Sequence, residues 1–161
     1  MVPFICDTGG TGRILMDTTA RRKALRLLSH GMYVMTSRCG DGYGATTVTW
    51  LSQASFTPPL VMAAVRKDSS FFKYVSCSGY AAIHILGRGQ QDLAQRFLFP
   101  TQADDTHING EPFTAGVTGV PILRIAPAHV ECRVVRMLAD VGDHAVVILE
   151  VVRAECREAV V

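Results

Sequence analysis

The densest run of small hydrogen-bonding side chains in the sequence is Thr46, Thr47, Thr49, Ser52, Gln53 and Ser55. Hydroxyl and amide groups of this size let a flat ligand approach the backbone, and they offer donors and acceptors to its heteroatom edge. Threonine also forms strands readily, so the run alone fits an ordinary β-segment. A second cluster, Arg66, Lys67, Asp68, Ser69 and Ser70, sits between an apolar run and an expected helix. Its cations and hydroxyls, beside the unpaired N–H groups that open a helix, make an anion site suited to a phosphate. The same residues also suit a solvated loop with a serine cap.

Other familiar spacings lead elsewhere. Gly9, Gly10 and Gly12 lack the following Lys and Ser or Thr of a phosphate-binding P-loop and read as a flexible tail. Gly87, Arg88 and Gly89 open a helix after a strand, but the third glycine and the later acidic residue of a dinucleotide fold are missing. His129, Glu131 and Cys132 share the H-x-E spacing of zinc deaminases without the later P-C-x-x-C. On an alternating strand 129 and 131 share a face and Cys132 points away, which favours a core or interface role over a metal site.

The elements that must position these residues begin with a helix from about 18 to 30, where Asp17, Thr18 and Thr19 offer caps and Gly31 a stop. Tyr33 to Arg38 and Tyr43 to Trp50 read as a hairpin around Cys39, Gly40, Asp41 and Gly42. Pro58 and Pro59 precede a buried strand at Leu60 to Val65. A short helix starts at Ser69 or Ser70 and ends at Gly79, a strand follows at Tyr80 to Leu86, and Gln90 to Leu98 forms another short helix. Residues 99 to 120 read as a long loop. Strands return at Ile122 to Ala126, His129 to Leu138 and His144 to Arg153. Strands joined by tight turns, with short helices inserted, predict a mainly β, antiparallel sheet closed into a barrel.

A chain of 161 residues is one domain in size, read as an N-terminal extension over 1–17 and a folded unit over 18–161. Its +2 net charge, spread without runs of one sign, argues against nucleic acid as a partner. No stretch reaches the roughly 18 apolar residues of a membrane span. An apolar share of 48% and a mean hydropathy of +0.23 point to a subunit interface, and a homodimer is expected. Met1 to Gly12 lacks the features of a secretory signal, so a cytoplasmic location is expected. The five scattered cysteines read as free, mostly inert thiols.

The span from about 20 to 153 resembles the flavin reductase-like family of FMN-binding split barrels. The resemblance is carried by Gly31 to Thr36; by Thr47, Val48 and Thr49 with Ser52 to Ser55, Pro58 and Pro59; and by Ser69 before a helix closing at Gly79. Asp92, Leu93, Ala94 and Phe97, then Gly119, Pro121 and Leu123, then Glu131 and Cys132, then Gly142, Asp143 and His144 complete it. The chain departs from the usual family pattern at Trp50, Phe71 and His84. The Trp50, Ser52 and Gln53 stretch is closer to members associated with electron-transfer flavoproteins.

The resemblance implies that Thr46, Thr47, Val48 and Thr49, with Ser52, Gln53, Ala54 and Ser55, line the isoalloxazine and ribityl chain of FMN, or alternatively FAD. It implies that Arg66, Lys67, Ser69 and Ser70 hold the phosphate with Phe71 beside them, and that Phe97 flanks the cofactor. His144 becomes the catalytic candidate, facing the open side where a nicotinamide docks, with Asp143 fixing its tautomer. The implied activity is reduction of flavin by NADH or NADPH, with electrons passed to a monooxygenase or an electron-transfer partner. Rival readings are an FMN-retaining carrier without NAD(P)H activity and a split-barrel binding module for a ligand such as haem.

Overall fold

The computed structural model describes residues 17–157. The expected N-terminal extension, its glycines and Cys6 lie outside them, Asp17 excepted. That aspartate caps α1 (Thr18–Leu25) by accepting a hydrogen bond from the Thr19 N–H at 2.8 Å. The helix stops short of residue 30: none of its side chains is buried, and a helix without packing has little to extend it.

β1 (Tyr33–Cys39) and β2 (Gly42–Val48) form the expected hairpin, with Cys39 opposite Gly42. The stretch after Val48, expected to be a connection, contains an edge strand, β3 (Leu51–Ser55), paired with β4 (Leu60–Arg66). α2 (Ser70–Ser78) starts where the Ser69 hydroxyl accepts from the Phe72 N–H and ends at Gly79, whose φ of 72° only glycine adopts without strain. β5 (Tyr80–Ile85) and α3 (Gln91–Arg96) follow. The segment 99–120 is not one loop: it contains β6 (His107–Ile108) and β7 (Glu111–Ala115), which pair with each other and then with β8 (Pro121–Leu123). Strands this short show no alternation in sequence; Ile108 and Leu123 earn their place by packing on Val34. β9 (Ala128–Leu138) and β10 (His144–Cys156) are the longest strands.

The main sheet runs β2-β1-β5-β9-β10-β4-β3, antiparallel throughout, and the small sheet is β6-β7-β8. Shifts of register in the β9–β10 pair, at Ile148/Leu149 and Val151/Arg153, mark bulges that help a sheet to bend. The split β-barrel architecture is therefore present. Its interior holds Met35, Val65, Ile83, Val147 and Leu149 against Phe71 and Val75 of α2. Gly44 allows that approach, since a Cβ there would lie 2.9 Å from the Phe71 Cα. The outer face of β1 is covered by α3 and the small sheet through Leu93, Phe97, Ile108 and Leu123. No helix among the described residues is long and apolar enough to cross a membrane.

Polar groups tie the two sheets together. Glu131 on β9 accepts from the Val117 N–H at 3.1 Å, the Thr118 N–H at 2.8 Å and the Thr118 hydroxyl at 2.6 Å, fixing the turn before β8. Burial works against its ionisation, but these bonds outweigh it and hold the carboxyl below its ordinary range. Glu131 and His129 are both buried, in keeping with a core role. Cys132 is buried too, and burial pushes its thiol up to about 12, leaving it inert. The expectation of free thiols is corrected elsewhere: Cys39 and Cys77 form a disulfide between β1 and α2, their Cα atoms 6.0 Å apart. They lie 38 residues apart in sequence, and the packing of α2 across β1 brings them together.

His84, fully buried on β5, bridges β1 and β8. Its Nδ1 lies 3.0 Å from the Val34 carbonyl, and its Nε2 accepts from the Leu123 N–H at 2.9 Å. That pairing requires the neutral ring with its proton on Nδ1. Burial pushes its pKa down from 6.5 to about 4, with the nearby His129 adding to the effect. The folded protein therefore resists a proton that the unfolded chain accepts. Stability falls as pH drops below 6.5 and levels off below about 4, a loss worth roughly 3 kcal/mol. Urea unfolding of the wild type and His84→Gln at pH 7 and pH 4 should show the wild type losing more stability on acidification by about that amount. Equal losses would mean that His84 is not held neutral by the fold.

Candidate functional site

β2 and β4 are not neighbours in the sheet, and between them lies a cleft of about 580 Å³, within the usual range for ligand sites. Thr46, Thr47, Val48 and Thr49 line it from β2 and its exit, and Ala64, Val65 and Arg66 line it from β4. The exposed edge of β2 is met by the end of α3: the Thr47 N–H donates to the Phe97 carbonyl at 3.0 Å, and the Thr47 hydroxyl donates to the Ala94 carbonyl at 2.5 Å. Thr47 thus closes the wall with its own polar groups, while Phe97 and the following Leu98, Phe99 and Pro100 form the flank.

The start of α2 brings Ser69 and Ser70 to the same cleft. The Ser69 hydroxyl caps the helix, and the Ser70 hydroxyl lies 3.2 Å from that of Thr101. Beside them Arg66 is paired with Asp68 through Nε at 3.0 Å. Both side chains are about two-thirds exposed (65% and 68%), so an incoming anion competes with a weak, solvated pair. The Arg66 hydrogen bond holds the Asp68 carboxyl below its ordinary value. The partial positive charge of the helix start, the hydroxyls and the guanidinium together favour a phosphate.

His144 opens β10 opposite Arg66 and lines the cleft. Its Nδ1 lies 2.8 Å from the Asp143 carboxylate, which keeps the Asp143 carboxyl low and leaves Nε2 as the ring nitrogen available to a ligand. Trp50 packs on the imidazole with ring centroids 4.8 Å apart and is itself half exposed at the cleft.

The structure thus gathers Thr46, Thr47, Val48, Thr49, Arg66, Ser69, Ser70, Phe97 and His144 around one space. Six expected site residues lie off its wall. Ser52, Gln53, Ala54 and Ser55 belong to edge strand β3, which pairs with β4 and contributes no residue to the cleft lining. Phe71 is fully buried in the core, because the helical turn after Ser70 points it inward. Lys67 turns to the β9–β10 connection, where its ammonium donates to the Ala139 carbonyl at 3.0 Å. Trp50 and the Leu98 to Pro100 flank were missed as site residues; an aromatic and proline run at the end of a short helix was their one signal in sequence.

The family model for the flavin reductase like domain matches residues 25–161. The chain belongs to this family. Flavin reductase-like relatives include an NADH:FMN oxidoreductase of Rhodococcus erythropolis, 34% identical over 85% of this chain and 70% of its own length. Diflavin flavoprotein A 1 of Synechocystis is 34% identical over 96% of this chain, which spans only 29% of that longer protein. Among solved structures, an NADH:FAD oxidoreductase of Streptomyces globisporus superposes with a TM-score of 0.73 at 28% identity, covering 88% of this chain and 86% of that one.

Proposed function

We propose that the chain is an NAD(P)H-dependent flavin reductase that binds FMN in the β2–β4 cleft. The observation that carries this reading is the joining of a hydroxyl-lined wall to a serine-capped helix start and an arginine within one cleft, in a chain of this family. The flavin, when bound, supplies the electron-accepting ring. The backbone and hydroxyls of Thr46 to Thr49 offer it hydrogen-bonding partners, and Phe97 to Pro100 shield it from water. Ser69, Ser70 and Arg66 hold the phosphate. His144, oriented by Asp143 and packed on Trp50, positions the nicotinamide, a contribution of alignment and not of proton transfer. Electrons then pass to a partner protein, consistent with the likeness to one part of a longer diflavin flavoprotein.

The same reading includes pairing of two copies. Residues directly opposite in an antiparallel pair share a face. The register therefore sets Met62 beside Ile148, and Ala64 beside Val146 and Leu138, on the face opposite the buried Ala63 and Val147. This outer face, which also carries Ser52 and Arg136, continues to Trp50 at the cleft, and β3 presents a bare edge next to it. Sedimentation at micromolar concentration should give a dimer, with Met62→Asp shifting it to monomer; a wild-type monomer sinks the pairing.

For the phosphate, Ser69→Asp keeps the helix cap but sets a negative charge against the ligand. Fluorescence titration should show FMN binding weakened about tenfold or more, the scale of one charge-assisted bond, with riboflavin unchanged and Lys67→Ala nearly neutral for both. Equal weakening of FMN and riboflavin would place the phosphate elsewhere.

His144→Ala should slow single-turnover flavin reduction by roughly 100-fold and raise KM for the nicotinamide, the scale expected when ring alignment is lost. FMN affinity and thermal stability should stay nearly intact. Loss of FMN with normal turnover in the remaining holoprotein would instead make His144 part of the scaffold.

A further inference from the structure

Three rings from distant parts of the chain stand in a row, and two of them line the cleft. His30 comes from the connection between α1 and β1, Trp50 from the connection between β2 and β3, and His144 from the first position of β10. The Trp50 and His144 ring centroids are 4.8 Å apart with planes at 47°, and those of His30 and Trp50 are 6.5 Å apart at 52°. Both separations fall in the range over which tilted rings attract one another. Trp50 is anchored through its main chain: its carbonyl accepts from the Ala64 N–H of β4 at 2.9 Å, so a half-exposed indole is presented from a fixed backbone.

Polar support for the His144 ring is weak by comparison. Its one side-chain hydrogen bond among the described residues joins Nδ1 to Asp143, the preceding residue, whose own side chain is 93% exposed. Water competes for that carboxylate, and an exposed pair of this kind holds a ring loosely. The turn that carries both residues is open as well, with Val141 exposed and Gly142 at a φ of 71°. The His144 side chain is nevertheless only 24% exposed, and the aromatic ring packed on it is Trp50. Removing the indole leaves the Trp50 carbonyl bonded to β4, so the backbone keeps its place. The imidazole, however, loses its neighbour on that side and keeps only the exposed bond to Asp143.

We propose that Trp50 is a positioning residue for flavin reduction: its indole fixes the imidazole of His144, and through it the nicotinamide, without holding the flavin. The proposal rests on the reading of the cleft as a flavin site with His144 beside the nicotinamide. The ligand-free chain gives the first readout. The ring current of the indole displaces the imidazole C–H resonances of His144, which are identified among the five histidines by their loss in His144→Ala. Trp50→Ala should move them toward unstructured values; resonances that stay in place overturn the proposal. Turnover gives the second readout. Trp50→Ala should slow single-turnover reduction and raise the KM of the nicotinamide, lowering kcat/KM about tenfold, the scale of one aromatic pair, while FMN affinity by fluorescence titration holds. Trp50→Phe should recover most of that loss. Trp50→Ala/His144→Ala should be no slower than His144→Ala alone, because a residue that acts through another then has nothing to act on. A Trp50→Ala variant with normal turnover, losses that multiply in the double variant, a phenylalanine that recovers nothing, or FMN affinity that falls with Trp50→Ala each overturn the proposal. If His144→Ala alone turns over normally, the nicotinamide reading of His144 fails and takes this proposal with it, whereas a wild type that binds no FMN fails the flavin reading itself.

Discussion

A strand edge left unpaired inside a protein must find partners for its N–H and C=O groups, and in this fold that requirement falls on β2. The sheet does not close there. The Phe97 carbonyl takes the Thr47 N–H, and the Thr101 hydroxyl both accepts from the Ala45 N–H and donates to the Ala45 carbonyl. One segment, from the end of α3 to Thr101, thus replaces a missing strand without filling the space a strand would occupy. The gap that remains is the cleft. Its floor is strand backbone, its flank is the substitute segment, and the start of a helix docked on the same hairpin borders it.

The docking of α2 depends on small residues as much as on apolar ones. Gly42 and Gly44 leave room for the Tyr74 ring, and Gly44 also lets the helix backbone approach β2. Phe71 and Val75 then reach the barrel interior, and the helix start is left beside Arg66. The phosphate-favouring geometry is thereby a by-product of core packing: the buried side chain of Phe71 orients the serines that precede it. The disulfide from Cys39 to Cys77 ties the other end of the same contact.

Polar side chains at the cleft are already paired before any ligand arrives. Arg66 faces Asp68, and Asp143 faces His144, with all four near the junction of β4 and β10. Exposed pairs of this kind contribute little to stability, so they can be rearranged at low cost. The strong polar commitments lie deeper, at His84 and Glu131, where each buried acceptor is matched by a donor and the two sheets are locked in register. The polar pairs at the cleft and those that lock the sheets are therefore different residues.

The sequence by itself determined the elements whose signals are local. The β1–β2 hairpin followed from its turn residues, α2 from Ser69 and Gly79, and β4 from a short apolar run after two prolines, because turn chemistry, caps and apolar runs act over a few residues. The hydroxyl run and the Arg66 to Ser70 cluster were legible as binding chemistry for the same reason. What tertiary structure decided was direction and partnership. A run of small polar side chains does not show which neighbour a strand takes, and Leu51–Ser55 pairs along the edge of β4 instead of joining Thr46 to Thr49 in the cleft wall. Two adjacent cations look equivalent in sequence, yet Arg66 reaches the cleft and Lys67 the β9–β10 turn. The strands β6 and β7 and the Cys39–Cys77 pair exist only through contacts distant in the chain, for which short segments carry no periodic signal. Side-chain chemistry is written residue by residue, whereas the face on which it is spent is set by which surfaces the fold must bury.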